Sequence, residues 1–136
     1  MNIYKKNAWR FILPNLATFS SLFFAVSSIA KSFDGAYSTA AWFIFLSVLF
    51  DGIDGKLARL TQGTSLFGKE LDSLSDLVAF GVAPAFLAYR ALLPESPFSF
   101  FLVFLFVACG ASRLAFFNVT AINLKKKGDF SGLPIP

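Results

Sequence analysis

The chain has 136 residues, of which 56% are hydrophobic and only 15% charged, whereas a typical soluble domain carries about 25% charged residues. This composition indicates a membrane-embedded protein. The net charge of +4 does not indicate nucleic-acid binding, because the basic residues lie at the ends of apolar runs, as in membrane proteins. The single cysteine, Cys109, excludes an intramolecular disulfide and a Cys-rich zinc site.

The apolar runs predict an all-α fold, a polytopic transmembrane helical bundle. Residues 2–10 mix basic and aromatic side chains, which predicts a short N-terminal interfacial helix. About four spanning helices follow, each near the roughly 20 residues that cross the hydrocarbon, at residues 11–30, 37–57, 71–93 and 98–122. Turns separate them, at residues 31–38, which contain Asp34-Gly35, at residues 60–67, and around Pro94 and Pro97. Ser65 is a candidate N-cap for the third helix.

The basic residues predict an orientation. With a cytoplasmic N-terminus, the cytoplasmic side holds Lys5, Lys6, Arg10, Lys56, Arg59, Lys69, Arg113, Lys125, Lys126 and Lys127. The opposite side holds only Lys31 and Arg90. This bias places the junction between the second and third helices in the cytoplasm.

Residues 1–136 are predicted to form a single membrane-embedded domain. The final segment, Leu133-Pro134-Ile135-Pro136, resembles the start of another element, so we expect the domain to be truncated at its C-terminus. An inactive truncated product is therefore one of the alternatives.

The acidic residues are concentrated at one junction of the predicted bundle. Asp51 and Asp54 lie near the end of the second helix, and Asp72 and Asp76 near the start of the third. Spacings of three and four residues put each pair on one helix face, and a short hairpin can bring the faces together. An Asp in a membrane helix costs about 2.5–3.5 kcal/mol at its centre, so the group needs cations or protons. The alternative is that the acids are solvated or paired with neighbouring basic residues.

The types of ligand available indicate the metal. The chain has no histidine, and carboxylate oxygens suit Mg²⁺, Mn²⁺ or Ca²⁺. Four carboxylates can hold two ions, as in two-metal phosphoryl transfer. Small residues at Gly55, Ala58 and Gly68 leave room beside the backbone for a ligand, and Arg59 is a candidate for gripping a phosphate.

The segment from Asp51 to Asp76 reads D-x2-D-G-x2-A-R-x8-G-x3-D-x3-D. It resembles the signature of the CDP-alcohol phosphotransferase family at every fixed position. The resemblance implies a helical membrane enzyme, commonly a homodimer, with two divalent cations, Mg²⁺ or Mn²⁺. It implies four metal ligands, Asp51, Asp54, Asp72 and Asp76. It further implies that Asp76 is the general base that takes the proton of the acceptor hydroxyl.

The same resemblance implies residues that shape the nucleotide and pyrophosphate pocket, namely Gly55, Arg59, Ser65 and Gly68. Asn15 and Thr18 resemble the family's first-helix Pro-Asn-x-x-Thr, which lies near that pocket. The alternative for these two residues is hydrogen bonding between helices within the bilayer.

Residues 69–85, 110–118 and 130–134 are similar to the phosphatidylserine synthase branch of the family. The similarity implies transfer of a phosphatidyl group from CDP-diacylglycerol to L-serine with release of CMP, at a site facing the cytoplasm. Phe116 stands where the branch commonly has Arg. Arg113, in the fourth apolar run, is a candidate to bind the serine carboxylate or a lipid phosphate. Its alternatives are snorkelling to the interface and charge balance for the acidic group.

Two further functions fit the same residues. Glycerol 3-phosphate or an inositol phosphate could replace serine as the acceptor, although such anions need more cationic groups. A cation channel or transporter could use the same carboxylates, but it would have no need for Gly55, Arg59 and Gly68 at fixed offsets.

Overall fold

The computed structural model describes the backbone of residues 3–61 and 65–129, and the side chains of residues 12–53, 55, 56 and 65–121. Within these ranges the chain is helical and contains no β-strand. The elements are α1 (Ile3–Phe33), α2 (Tyr37–Thr61), α3 (Leu66–Asp76), a π-helical segment (Leu77–Val82), α4 (Ala83–Leu92) and α5 (Pro97–Asp129). The predicted all-α fold is confirmed.

Three stretches of the described helices are long and apolar enough to cross a membrane: Ile12–Phe33, Leu66–Leu92 and Pro97–Ala121. The predicted second span corresponds to a shorter apolar helix, Tyr37–Ile53. Residues 3–10, predicted as a separate surface helix, are the first turns of α1 and continue into it without a break. The protein is therefore an integral membrane protein built as a helical bundle.

The turn between α1 and α2 contains Asp34-Gly35, as the sequence predicts. Gly35 has a φ of 78°, a left-handed conformation that glycine adopts without the steric cost of a side chain. The backbone N–H of Ala36 donates to the carbonyl of Lys31 over 3.0 Å, which closes the helix end in the manner of a Schellman motif. This tight turn makes α1 and α2 antiparallel neighbours.

Small polar residues form the contact between α1 and α2. The hydroxyls of Ser21 and Ser47 lie 3.0 Å apart, and each also bonds to the other residue's carbonyl oxygen. Ser28 donates to the carbonyl of Ala40 over 2.8 Å. Small side chains let membrane helices approach closely, and hydrogen bonds between them average about 0.6 kcal/mol. Lipid does not drive apolar helices together, so close packing at these serines holds the pair.

The third predicted helix contains a change of helical type. The structure has a π-helical segment over Leu77–Val82 between α3 and α4, and the backbone N–H of Ala83 donates to the carbonyl of Val78, five residues earlier. Pro84 lies at the start of α4. It cannot donate to the carbonyl of Phe80 and its ring crowds that carbonyl, so a wider turn before the proline accommodates it.

A polar cluster fixes the end of the bundle opposite the acidic residues. The Tyr37 hydroxyl donates to the carbonyl of Arg90 over 2.8 Å. The Arg90 guanidinium bonds to Glu95 and lies 5.6 Å from the centre of the Phe33 ring. These contacts tie α1, α2, α4 and the loop between α4 and α5 together at this end.

Candidate metal centre and adjoining cavity

Three of the four predicted metal ligands come together in the structure. Asp51 is on α2, and Asp72 and Asp76 are on α3. One carboxylate oxygen from each lies within 4.8 Å of the others, and all three residues are partly buried. The Asp54 side chain, the fourth predicted ligand, lies outside the described residues. The predicted convergence of the two helix faces is thus observed for Asp51, Asp72 and Asp76.

The start of α3 positions two of these acids. Ser65 is the N-cap of α3, as predicted, because its hydroxyl accepts from the backbone N–H of Gly68 over 2.9 Å. A capped first turn sets the rotation of the helix from its beginning. Asp72 and Asp76 follow at a spacing of four residues, so they project from one face of α3, the face that meets Asp51.

The electrostatics of this group favour a cation. Three carboxylates whose oxygens lie within 4.8 Å of one another repel when ionised. A divalent cation turns that repulsion into attraction, and an all-oxygen ligand set is the kind that Mg²⁺ and Mn²⁺ accept. The ligand chemistry therefore fits a hard divalent ion.

A cavity of about 680 Å³ adjoins the acidic group. Its walls come from the α3–π segment and from α5, and most of its lining is apolar. Two charged residues line it: Asp76, which also belongs to the carboxylate group, and Arg113, which is on α5. The cavity thus combines a carboxylate on one wall with a guanidinium on the other.

Asn15, on α1, lies against the first turn of α3. A Cβ atom placed on Gly68 would be only 3.1 Å from Oδ1 of Asn15 and 3.1 Å from Oγ of Ser65. Gly68 was predicted to leave room for a ligand, but the space next to its Cα is occupied by these two side chains. The absent side chain at position 68 therefore allows α1 to approach α3.

The Thr18 side chain bonds within its own helix. Its hydroxyl donates to the carbonyl of Pro14 over 3.0 Å, and the residue is buried. Its backbone carbonyl accepts from the Ser75 hydroxyl over 3.4 Å. Thr18 thus contributes to the α1–α3 contact through its backbone. This bond is of the kind named above as the alternative for Thr18, a hydrogen bond between helices.

The structure describes the surroundings of Gly55 but not those of Arg59, the other two residues predicted for the nucleotide pocket. Gly55 is exposed, and a Cβ atom there would have nothing within 4 Å, so this position borders open space. The Arg59 side chain lies outside the described residues. Their predicted pocket roles stay predictions.

The sequence did not single out several residues that line the cavity or connect its walls. Leu77 and Phe80 line the α3–π wall, and Phe106 and Cys109 line the α5 wall. Asn118, on α5, donates through Nδ2 to the Ser73 hydroxyl over 3.0 Å. Asn118 falls in the segment 110–118 that resembles the synthase branch, and it is an amide in an otherwise apolar run; such polar residues in membrane helices generally face another helix or a cavity.

Comparison with known proteins finds one family and relatives with similar names. The family model described as CDP-alcohol phosphatidyltransferase matches residues 11–135. The chain is 42% identical over 127 residues to a CDP-diacylglycerol–serine O-phosphatidyltransferase of Helicobacter pylori, covering 93% of this chain and 53% of that protein. It is 42% identical to the enzyme of the same name from Saccharomyces cerevisiae, covering 87% of this chain and 46% of the relative.

The name of another relative differs in its lipid part but also contains serine. The chain is 41% identical over 126 residues to an archaetidylserine synthase of Methanothermobacter thermautotrophicus, covering 91% of this chain and 53% of the relative. The chain therefore spans about half the length of the relatives it matches. No solved structure matches it.

Proposed function

The chain belongs to the CDP-alcohol phosphatidyltransferase family, and from this premise we propose that it transfers a phosphatidyl group from CDP-diacylglycerol to L-serine. The products would be phosphatidylserine and CMP. The observation that carries the proposal is that Asp76 belongs both to the carboxylate group and to a cavity lined by Arg113. The names of the relatives support serine as the acceptor. The other acceptors and the ion pathway gain no support from these names.

Four aspartates would hold the metals: Asp51, Asp54, Asp72 and Asp76. Two bound divalent cations, Mg²⁺ or Mn²⁺, would neutralise the donor's pyrophosphate and make CMP a better leaving group. The residues named above for the nucleotide pocket, Gly55, Arg59, Ser65 and Gly68, would shape the part of the site that holds the nucleotide and pyrophosphate of the donor. Asn15 would support the pocket by its contact with the first turn of α3.

The cavity suits a small amino-acid acceptor. Serine has a carboxylate at one end and a hydroxyl at the other. The Arg113 guanidinium would bind the carboxylate, since it can form two parallel hydrogen bonds to it. The hydroxyl would then lie towards Asp76, and the apolar walls would exclude water that competes for the donor.

Asp76 would act as the general base. A serine hydroxyl is a weak nucleophile at neutral pH and gains from a positioned base. As its proton moves to the Asp76 carboxylate, the serine oxygen forms a bond to the phosphorus that carries the lipid. The bond from that phosphorus to the oxygen shared with CMP breaks, and CMP leaves with the electron pair. Both substrates are bound together, so no phosphorylated enzyme forms.

The proposal also includes the side of the membrane that the site faces and the oligomeric state of the protein. The bias of basic residues supports a site facing the cytoplasm. The resemblance supports a homodimer. Both are testable in proteoliposomes, by access of a membrane-impermeant CDP analogue and by cross-linking.

The experiment measures CMP release from CDP-diacylglycerol by the purified chain in detergent micelles. We expect release to require serine together with Mg²⁺ or Mn²⁺, and glycerol 3-phosphate and inositol phosphate to replace serine poorly. Asp76→Asn should lower the rate by at least about 100-fold, the lower range for loss of a general base. Asp34→Asn, at an exposed Lys31–Asp34 pair distant in sequence from the site, is the matched control. Serine-dependent release by Asp76→Asn near the wild-type rate would eliminate the base role.

A further inference from the structure

A side-chain hydrogen bond connects α3 and α5, the helices that form the two walls of the cavity. Nδ2 of Asn118, on α5, donates to Oγ of Ser73, on α3, over 3.0 Å, and the pair is partly buried. Ser73 directly follows Asp72 and precedes Asp76 by three residues, so it lies on the same side of α3 as Asp76. The bond therefore joins α5 to the part of α3 that carries the carboxylates.

A second contact holds α5 on the other side of Arg113. Leu77 Cδ1 would be 3.9 Å from a Cβ atom on Gly110, so the Leu77 side chain packs against α5 at that glycine. Gly110 precedes Arg113 by three residues and Asn118 follows it by five. At about 1.5 Å per residue, Arg113 lies between two fixed points on α5 that are about 12 Å apart. Of these two contacts, only the bond to Ser73 is directional.

From this arrangement we propose that Asn118 is a positioning residue: it sets the separation of Arg113 from Asp76 and thereby determines the affinity for the acceptor. The inference rests on the proposed function. Serine is short and would be held at both ends, by a guanidinium on one wall and a carboxylate on the other. A change in the distance between the walls weakens one of these contacts while the donor's contacts on α2 and α3 remain.

The expected magnitudes separate positioning from simple stabilisation. A hydrogen bond between membrane helices contributes on average a factor of about three to their association. A displacement of about 1 Å in a catalytic site can cost about 100-fold. Loss of the Asn118–Ser73 bond should therefore affect acceptor binding far more than it affects the stability of the bundle.

The test compares Ser73→Ala, Asn118→Ala and the double variant with the wild-type chain. CMP release is measured against serine concentration and, separately, against CDP-diacylglycerol concentration. We expect each single variant to raise the KM for serine about tenfold, and the double variant to be no worse than either single one. The KM for the donor and the melting temperature should stay close to wild type. Ser112→Ala is the matched control, because the Ser112 hydroxyl bonds only to its own helix, at the Ala108 carbonyl.

A reversed pair gives a second test of the same bond. The double substitution Ser73→Asn with Asn118→Ser places the amide on α3 and the hydroxyl on α5, and it should recover most of the serine affinity. An unchanged serine KM in Asn118→Ala would overturn the positioning role, as would an equal rise in both KM values with a loss of stability. If the wild-type chain itself releases no CMP with serine, the proposed function fails first and the inference fails with it.

Discussion

Replacing Asp72 by Asn should change the stability of the protein in opposite directions with and without a divalent cation. The oxygens of Asp51, Asp72 and Asp76 lie within 4.8 Å of one another. At an effective dielectric constant of about 20, two unit charges at that distance repel by about 3.5 kcal/mol. The substitution removes two of the three repulsive pairs.

This figure must be reduced because the three residues are only partly buried. Solvent and salt screen exposed charges strongly, so we expect a net gain of about 1–3 kcal/mol in EDTA. For a chain of this size 1 kcal/mol corresponds to about 4 °C in melting temperature. Asp72→Asn should therefore melt several degrees above wild type in EDTA. In Mn²⁺ the order should reverse, because the wild-type chain gains a bound ion that the variant holds more weakly.

The assay is thermal unfolding in detergent, with the fluorescence of the two tryptophans as the readout. Asp34→Asn is the control, since Asp34 is an exposed partner of Lys31 at the α1–α2 turn. Its melting temperature should respond to Mn²⁺ as the wild type does. If Asp72→Asn is destabilised by the same amount in EDTA and in Mn²⁺, the three carboxylates do not form an ion site.

Two further predictions concern residues around the site. Cys109 is the only cysteine in the chain, is exposed, and lines the cavity. Labelling it with a bulky maleimide should therefore block CMP release, and bound serine should slow the labelling. The activity of Cys109→Ala should be resistant to the maleimide. Insensitivity of the wild-type activity to complete labelling would contradict this. Gly68→Ala would place a methyl group 3.1 Å from Oδ1 of Asn15, so it should raise the KM for CDP-diacylglycerol several-fold, while Gly55→Ala, where nothing lies within 4 Å, should not cause a steric defect. Gly52→Ala, where nothing lies within 4 Å either, is the control outside the residues assigned to the donor, and equal effects of Gly68→Ala and Gly52→Ala on the donor KM would show that the Asn15 contact is irrelevant.

The sequence predicts those features that depend on local spacing. Asp72 and Asp76 share a face because four residues make nearly one helical turn, and Ser65 caps α3 because its hydroxyl can reach a free backbone N–H. The Asp34-Gly35 turn follows from the tolerance of glycine for positive φ. In each case the cause lies within a few residues, so it can be read from the chain alone.

Apart from the convergence of Asp51 with Asp72 and Asp76, contacts between residues distant in the sequence were not predicted. The serines at 21 and 47 bond reciprocally across α1 and α2, but nothing local indicates which serine in one helix meets which in the other. The Asn118–Ser73 bond has the same origin. The π-helical segment before Pro84 shifts the faces of the downstream helix, so a regular 3.6-residue period assigns wrong neighbours beyond Asp76. These contacts depend on packing.

The central claim is that these carboxylates bind divalent cations that a CDP-linked lipid shares. The most direct test is a titration of Mn²⁺ into the purified chain, in which electron paramagnetic resonance measures the free ion. We predict two bound ions per chain, tighter binding when CDP-diacylglycerol is present, and loss of binding in Asp51→Asn and Asp76→Asn but not in Asp34→Asn. Mn²⁺ binding that is absent, or that these substitutions leave unchanged, would contradict the claim.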